Sequence, residues 1–363
     1  MLFATPPIKP KLQGRIDELD ELRARLRHDA ALASALPWMG RLRRQVRATS
    51  VESSTSIEGF SVSPEAAQAL VGGSDQADPA DESQLAVACY ARAMDHVGVM
   101  AVDPAFRWLE QVILDLHFDA CHFQPDKGPG RWRDGPISVT APEGGLAYRG
   151  PDSEQVPELM AQAVAWLEQG DLDAPVVVRG AMAHLHVVSI HPFRDGNGRI
   201  ARIVQSLLLA REGLLAPELG SIEEYLGQHT PAYYASLRDV QGGSYKPERD
   251  ATDWVSFCVK AHVRQARQRL VQIEQAAARW SLLEKLVAQR GWPDRLVIAL
   301  EQSLTGGSDR ASYCVEAGVA APTATNDFRR LLDAGLISQR GRTRNTRYYA
   351  SARLSEQVAR ETA

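Results

Sequence analysis

Cysteine is scarce: four in 363 residues, Cys89, Cys121, Cys258 and Cys314, far apart and in no C-x-x-C pair. That spacing speaks against a zinc cluster or a disulfide framework and predicts scattered, partly buried thiols. No apolar run approaches the ~18–20 residues of a membrane span, so none is expected. The N-terminus lacks the apolar stretch and small-residue cleavage site of a secretory signal, which makes the cytoplasm the expected compartment. An excess of one charge is missing too. The 41 Lys+Arg against 45 Asp+Glu leave a net −4, which argues against a protein that coats nucleic acid and leaves room for a local basic patch. No internal repeat is visible. What remains is ordinary globular chain, long enough for about two to three domains of roughly 100–200 residues.

The punctuation divides it into four regions. Residues 1–13 carry Pro6, Pro7 and Pro10 and read as an extended arm. The N-terminal region, 1–99, then turns helical, with Leu19, Leu22 and Leu26 at spacings of three and four. A further helix is predicted over 39–58, closed near Gly59, and another over 83–98. The second region, 100–245, carries Phe106, Leu109, Ile113 and Leu116 on one helical face within 103–120. The stretch 128–151 breaks this pattern. Ile137 and Val139 alternate with Ser138 and Thr140 before a P-E-G-G turn, as in a short β-hairpin. Helices resume over 153–169, 174–190 and 196–212. Residues 246–290 read as a helical connector. Residues 291–363 differ again: two short helices, 309–317 and 322–335, meet at Gly318 and precede an alternating two-stranded ribbon. The expected class is mainly α with one inserted hairpin.

Chemistry concentrates in His191-Pro192-Phe193-Arg194-Asp195-Gly196-Asn197-Gly198-Arg199-Ile200-Ala201-Arg202. Pro192 ends the apolar helix before it, and Ile200, Val204, Leu207 and Leu208 resume helical spacing after it. The string is therefore a tight loop feeding a helix N-terminus. Gly196 and Gly198 let backbone N–H groups approach an anion, and the helix end adds free donors and positive potential. Arg199 and Arg202, three apart, can fork onto phosphate oxygens. Asp195 suits Mg²⁺, which takes one or two carboxylates with phosphate oxygens and water. His191 can accept a proton near neutral pH. Taken together these are the parts of phosphoryl-group chemistry on a nucleotide. Alone, a G-N-G is usually a turn and a lone His after an apolar run usually structural; the complete string is what removes those readings.

The string resembles the Fic motif, HPF-x-(D/E)-GNG-R-x-x-R, at every defined position. The resemblance implies a helical core with a β-hairpin flap, which transfers AMP from ATP to a hydroxyl side chain (Tyr, Thr or Ser) of a target protein, the chain itself included. It implies that His191 is the general base, Phe193 a core anchor and Asp195 the Mg²⁺ ligand. Gly196, Asn197 and Gly198 become the anion hole, with the Asn197 side chain on phosphate. Arg199 and Arg202 take the outer phosphates, with Ile200 and Ala201 in the same nucleotide-binding turn. Doc-type relatives, which transfer a phosphate, carry lysine in place of the second glycine; Gly198 therefore favours AMP transfer. Ile137, Ser138 and Val139 become the flap edge that pairs with the target backbone, and Arg133 and Tyr148 match flap positions. Tyr234 and Gln241 resemble nucleoside contacts, although relatives often have Asn at the second position and a core role for the tyrosine stands beside this one. Dimers are common in the family; no interface is legible here.

Ser54-Thr55-Ser56-Ile57-Glu58-Gly59 similarly resembles the family's inhibitory pattern, (S/T)-x-x-x-E-(G/N), in the class with an N-terminal inhibitory helix. The resemblance implies that Glu58 pairs with Arg202 and puts a carboxylate where the outer phosphate belongs, and two anions in one pocket repel strongly at low dielectric. Glu58 positioning a water to remove AMP is the alternative. Finally, 291–363 looks like a winged helix-turn-helix. Arg329, Arg330, Arg340, Arg342, Arg344 and Arg347 supply charge for a DNA groove, tempered by Asp327 and Asp333. A protein-docking or dimerisation module is the competing reading. A DNA-binding regulator with a nucleotide-sensing Fic core is the corresponding alternative for the whole chain.

Overall fold

The computed structural model describes residues 1–72, 79, 81–140, 144–213, 217–341 and 346–362. The chain forms two compact units: 1–27 with 44–269, and 28–43 with 270–363. The first unit is mainly helical, with a two-stranded hairpin inserted.

Its centre is a pair of helices, Val176–Ile190 and Asn197–Arg211, buried along nearly their whole length. Helices that are apolar or small-residued all round have no solvent face and end up in the core. They run close together: a Cβ at Gly180 would lie 3.1 Å from Leu209 Cδ2, so this glycine sets the spacing. Around the pair pack Glu82–Val102 and Glu110–Cys121. Trp254, from the long helix Thr252–Ala288, donates from Nε1 to Ala181 O at 2.8 Å. The hairpin pairs β1 (Ser138–Thr140) with β2 (Leu146–Arg149) antiparallel, Val139 opposite Tyr148, with an irregularity after Val139.

Several expectations from sequence need correction. The arm is shorter than 1–13, because Pro10 begins the helix Pro10–Leu32; proline fits a first helical turn, whose N–H is unpaired anyway. Leu109 does not join the helical face. It precedes Glu110–Cys121 in extended conformation and is exposed. The helix before Gly59 ends at Ser56. Gly59, at φ +91°, still closes it as expected: its N–H reaches Ser56 O while Phe60 N–H reaches Thr55 O, the paired bonds of a glycine helix cap. One helix, Glu82–Val102, is long and apolar enough to span a bilayer, with a mean hydropathy of 1.3 over its window. It buries Val87, Tyr90, Ala93 and Val97 in the protein core. All four cysteines are free thiols, and only Cys314 is partly exposed.

The second unit contains Leu296–Leu304, Arg310–Ala317, Ala321–Asp333, β3 (Ile337–Arg340), β4 (Arg347–Ala350) and Ala352–Thr362. Ser308 bridges to Tyr348 beside the β3–β4 ribbon. Arg342 and Arg344, expected in the ribbon, lie outside the described residues.

Candidate active site

The loop between the two central helices carries the site. Val176–Ile190 stops at His191, whose backbone turns left-handed (φ +52°) while its N–H closes on Val187 O. Few non-glycine residues hold that conformation, and those that do cluster at functional positions. The imidazole Nδ1 lies 3.0 Å from Val188 O. A carbonyl accepts only, so Nδ1 carries the proton and Nε2 keeps its lone pair. Burial pushes the His191 pKa below the ordinary imidazole range, partly offset by the Val188 carbonyl; the free ring is neutral at pH 7.

Phe193 is fully buried and anchors the loop. Asn197 staples it: Oδ1 accepts from Phe193 N–H at 2.9 Å and Nδ2 donates to Phe193 O at 2.8 Å. The amide thus braces the loop from both ends. Gly196 (φ +76°) opens the next helix, and its N–H donates to Asp195 Oδ1 at 2.6 Å. The first N–H groups of that helix have no intrahelical acceptor. A Cβ at Gly198 would collide with Glu58 Oε1.

Arg202 is buried and held through Nε and one terminal nitrogen by the segment ahead of Gly59, while its other terminal nitrogen has no hydrogen-bond partner among the described residues. Its Nε donates to Ser54 Oγ at 2.7 Å, and one terminal nitrogen donates to Ser54 O at 2.9 Å and Glu58 Oε1 at 2.8 Å. Burial by itself would lower the Arg202 pKa; the Glu58 carboxylate, with Tyr233 and Tyr90 beside it, more than offsets this and raises it. Ser54 and Glu58, four apart, therefore grip one guanidinium. Arg199 is placed differently from the expectation. It is completely buried between the Phe60 and Phe123 rings, 5.4 Å from each centroid, with Asp195 Oδ1 at 3.6 Å and no hydrogen bond to any of its nitrogens. Ile200 and Ala201 point into the core.

A cavity of about 530 Å³ opens above this loop. Glu58, His191, Asp195, Gly196, Asn197 and Gly198 form its floor, Ile137, Ser138 and Val139 its flap wall, and Tyr234, Arg238 and Gln241 a third side. The Tyr234 hydroxyl donates to Ile57 O at 3.0 Å, and Gln241 Nε2 to Ser189 Oγ at 3.1 Å. Both are thus held by the protein at the cavity edge. Within the two-stranded sheet, β1 pairs on one side only.

Two further residues position the loop: His117, which carries no local signal in the sequence, and Arg133, expected there only as a flap residue. His117 stacks on Phe193, centroids 3.6 Å apart. It accepts from Gly130 N–H at Nδ1 (2.8 Å), so Nε2–H donates to Asp195 O at 3.0 Å. Arg133 donates from Nε to His191 O at 2.8 Å, and to the carbonyls of Gly135 and Pro151, which ties the hairpin base to the loop. The Tyr148 hydroxyl, on β2, donates to Ser189 O.

Burial holds His117 down at about pKa 4, His184 and His186 at about 3, and His262 well below the ordinary value. The unfolded chain therefore binds more protons than the folded one below pH 6.5. Stability should be full above that value and fall as pH drops from 6.5 towards 4, each ring adding up to about 1.4 kcal/mol per pH unit. Urea melts at pH 7.5, 6 and 5 check this; an unchanged midpoint contradicts it.

Residues 107–209 match the Fic/DOC family. The chain is 28% identical over 251 residues to "Protein adenylyltransferase Fic" of Culex quinquefasciatus, covering 65% of this chain and 44% of that protein. It is 36% identical over 95 residues to "Protein adenylyltransferase fic-1" of Caenorhabditis briggsae, covering 26% of this chain and 18% of that one. The chain thus spans less than half the length of either relative. Among solved structures, a Fic family protein from Desulfovibrio desulfuricans G20 superposes with a TM-score of 0.61 at 21% identity, over 96% of this chain and 98% of that one.

Proposed function

Because this chain carries a Fic domain, we propose that it is a protein adenylyltransferase, moving AMP from ATP to a hydroxyl side chain of a protein target, and that Glu58 restrains it. The observation that carries the reading is the neutral His191, its Nδ1–H committed to Val188 and its Nε2 free, beside a glycine cradle at a helix N-terminus that faces a nucleotide-sized cavity.

The target hydroxyl gives its proton to His191 Nε2 as its oxygen attacks the α-phosphorus of ATP. The bond to the bridging oxygen breaks, pyrophosphate leaves, and AMP stays on the side chain. Backbone N–H groups of the first helical turn meet the charge that develops. Asp195 would hold Mg²⁺: its carboxylate lines the cavity, and a single carboxylate with phosphate oxygens and water is the donor set this ion prefers. Bound there, Mg²⁺ would neutralise polyphosphate charge. The target is held by strand addition to β1, with Arg133 and Tyr148 fixing the hairpin over the loop. Glu58 occupies Arg202 and the space beside Gly198 that an outer phosphate would need.

Glu58 also faces the cavity beside Gly198, where a carboxylate could instead orient a water to remove AMP from a modified side chain. This second reading makes the opposite prediction for loss of Glu58.

Incubation with ATP and Mg²⁺, followed by mass spectrometry of the protein and of lysate, tests the first reading. AMP adducts on hydroxyl side chains are expected; phosphate adducts, or none from any variant, refute it.

A further inference from the structure

The second unit has a surface that the transferase reading does not use. Arg310–Ala317 ends at Gly318 in the left-handed conformation, and after a three-residue turn Ala321–Asp333 begins with Pro322 in its first turn. Its inner face is fixed: Phe328 stacks on Tyr348 with centroids 4.0 Å apart, and Leu331 is buried. Asp327, which in sequence tempers a DNA reading, is internal as well. Arg295 grips it at 2.8 and 3.1 Å, and Tyr313 donates to it at 2.9 Å. Its charge is cancelled within the fold.

The outer face therefore presents Asn326, Arg329 and Arg330, with Asp333 at its far end. Beside it runs the ribbon, where Arg340 and Arg347 are register partners. Like charges directly opposite one another destabilise a two-stranded ribbon, so the pair gains from an external anion. Among the described residues, none of Arg329, Arg330, Arg340 and Arg347 has a carboxylate within ion-pair distance. Residues 321–350 hold six arginines and two aspartates.

We propose that this unit binds duplex DNA as a winged helix-turn-helix. Ala321–Asp333 lies in the major groove, Asn326 and Arg329 read base edges, and Arg330, Arg340 and Arg347 meet phosphates. Asn pairs bidentately with adenine and Arg with guanine, while the ribbon arginines position the helix without reading sequence.

Fluorescence anisotropy of the full chain with a labelled random 30-base-pair duplex, between 50 and 200 mM salt, tests this. Three phosphate contacts give a log–log salt slope of about −2.7. Arg340→Ala with Arg347→Ala should flatten it by about 1.8. Asn326→Ala should keep the slope and broaden the sequences recovered from a randomised duplex pool. His191→Ala should change neither, which separates this result from the fate of the transferase reading. No binding at 50 mM salt overturns the proposal, as does a slope indifferent to the ribbon variants. Preferential capture of an acidic polypeptide such as polyglutamate overturns it in favour of a protein partner. The Asn326, Arg340 and Arg347 side chains are exposed, and a thermal melt confirms that each variant, His191→Ala included, is folded.

Discussion

Glu58→Gly is expected to raise AMP transfer about ten- to a hundredfold, or 1.4–2.7 kcal/mol off the barrier. In the resting protein Ser54 and Glu58 hold Arg202 through Nε and one terminal nitrogen, and the Glu58 carboxylate sits against Gly198. ATP binding productively must displace a carboxylate from a buried cation and bring its own negative charge into the same space. Both costs vanish when the carboxylate goes. Removing one member of a buried pair also strands its partner, so the nucleotide-free variant should melt at a lower temperature than the wild type. ATP with Mg²⁺ should restore much of the loss, because phosphate oxygens replace Glu58 on Arg202. Transfer of labelled AMP to protein and thermal melts with and without nucleotide read the two effects. Equal transfer by both forms sinks the inhibitory role, and a loss of AMP removal from a pre-modified target instead supports Glu58 as a water-positioning group.

His191→Ala should cost 10²- to 10⁴-fold in transfer, the usual worth of a positioned base, while leaving nucleotide binding in place. The ring bonds Val188 and approaches the Tyr148 ring, centroids 6.2 Å apart; the backbone is secured independently by Arg133 on the His191 carbonyl. Alanine tolerates the left-handed backbone poorly, so His191→Asn, better suited to it, separates strain from chemistry: both variants should be equally inactive. The wild-type rate should decline in acid as Nε2 takes up a proton. The midpoint lies below 6.5, because burial depresses the His191 pKa. The variants' residual activity should lack that decline. A variant retaining more than a tenth of the wild-type rate removes His191 from the role of base.

The parts of the site legible in sequence were those that a short contiguous string specifies. Pro192 and the two glycines dictate a loop entering a helix; the i, i+4 spacing puts Ser54 and Glu58 on one face, the family resemblance points Glu58 at Arg202, and the structure adds Ser54 to the same guanidinium. Where packing sets a side chain's partner, the string did not show it. Asn197 reads as a phosphate ligand, while both ends of its amide bond the backbone of Phe193, four residues earlier in the same string. Arg199 reads as a phosphate ligand until Phe60 and Phe123, from two other segments, close over it. His117 and Arg133 lie 74 and 58 positions before His191, and only tertiary packing reveals their bonds to the loop. Leu109 misled for the opposite reason: the apolar spacing runs through Phe106 and Leu109, both ahead of Glu110, where the helix starts. Asp327, likewise, was a surface charge by composition and an internal one once Arg295 and Tyr313 were in place.

The Arg199 guanidinium lies between two phenyl rings with no hydrogen bond among the described residues, and one of the two rings follows directly on the Glu58–Gly59 turn. One short segment therefore touches both motif arginines, Arg202 through the Glu58 carboxylate and Arg199 through the Phe60 ring. A displacement of that turn is expected to alter the surroundings of both cations together.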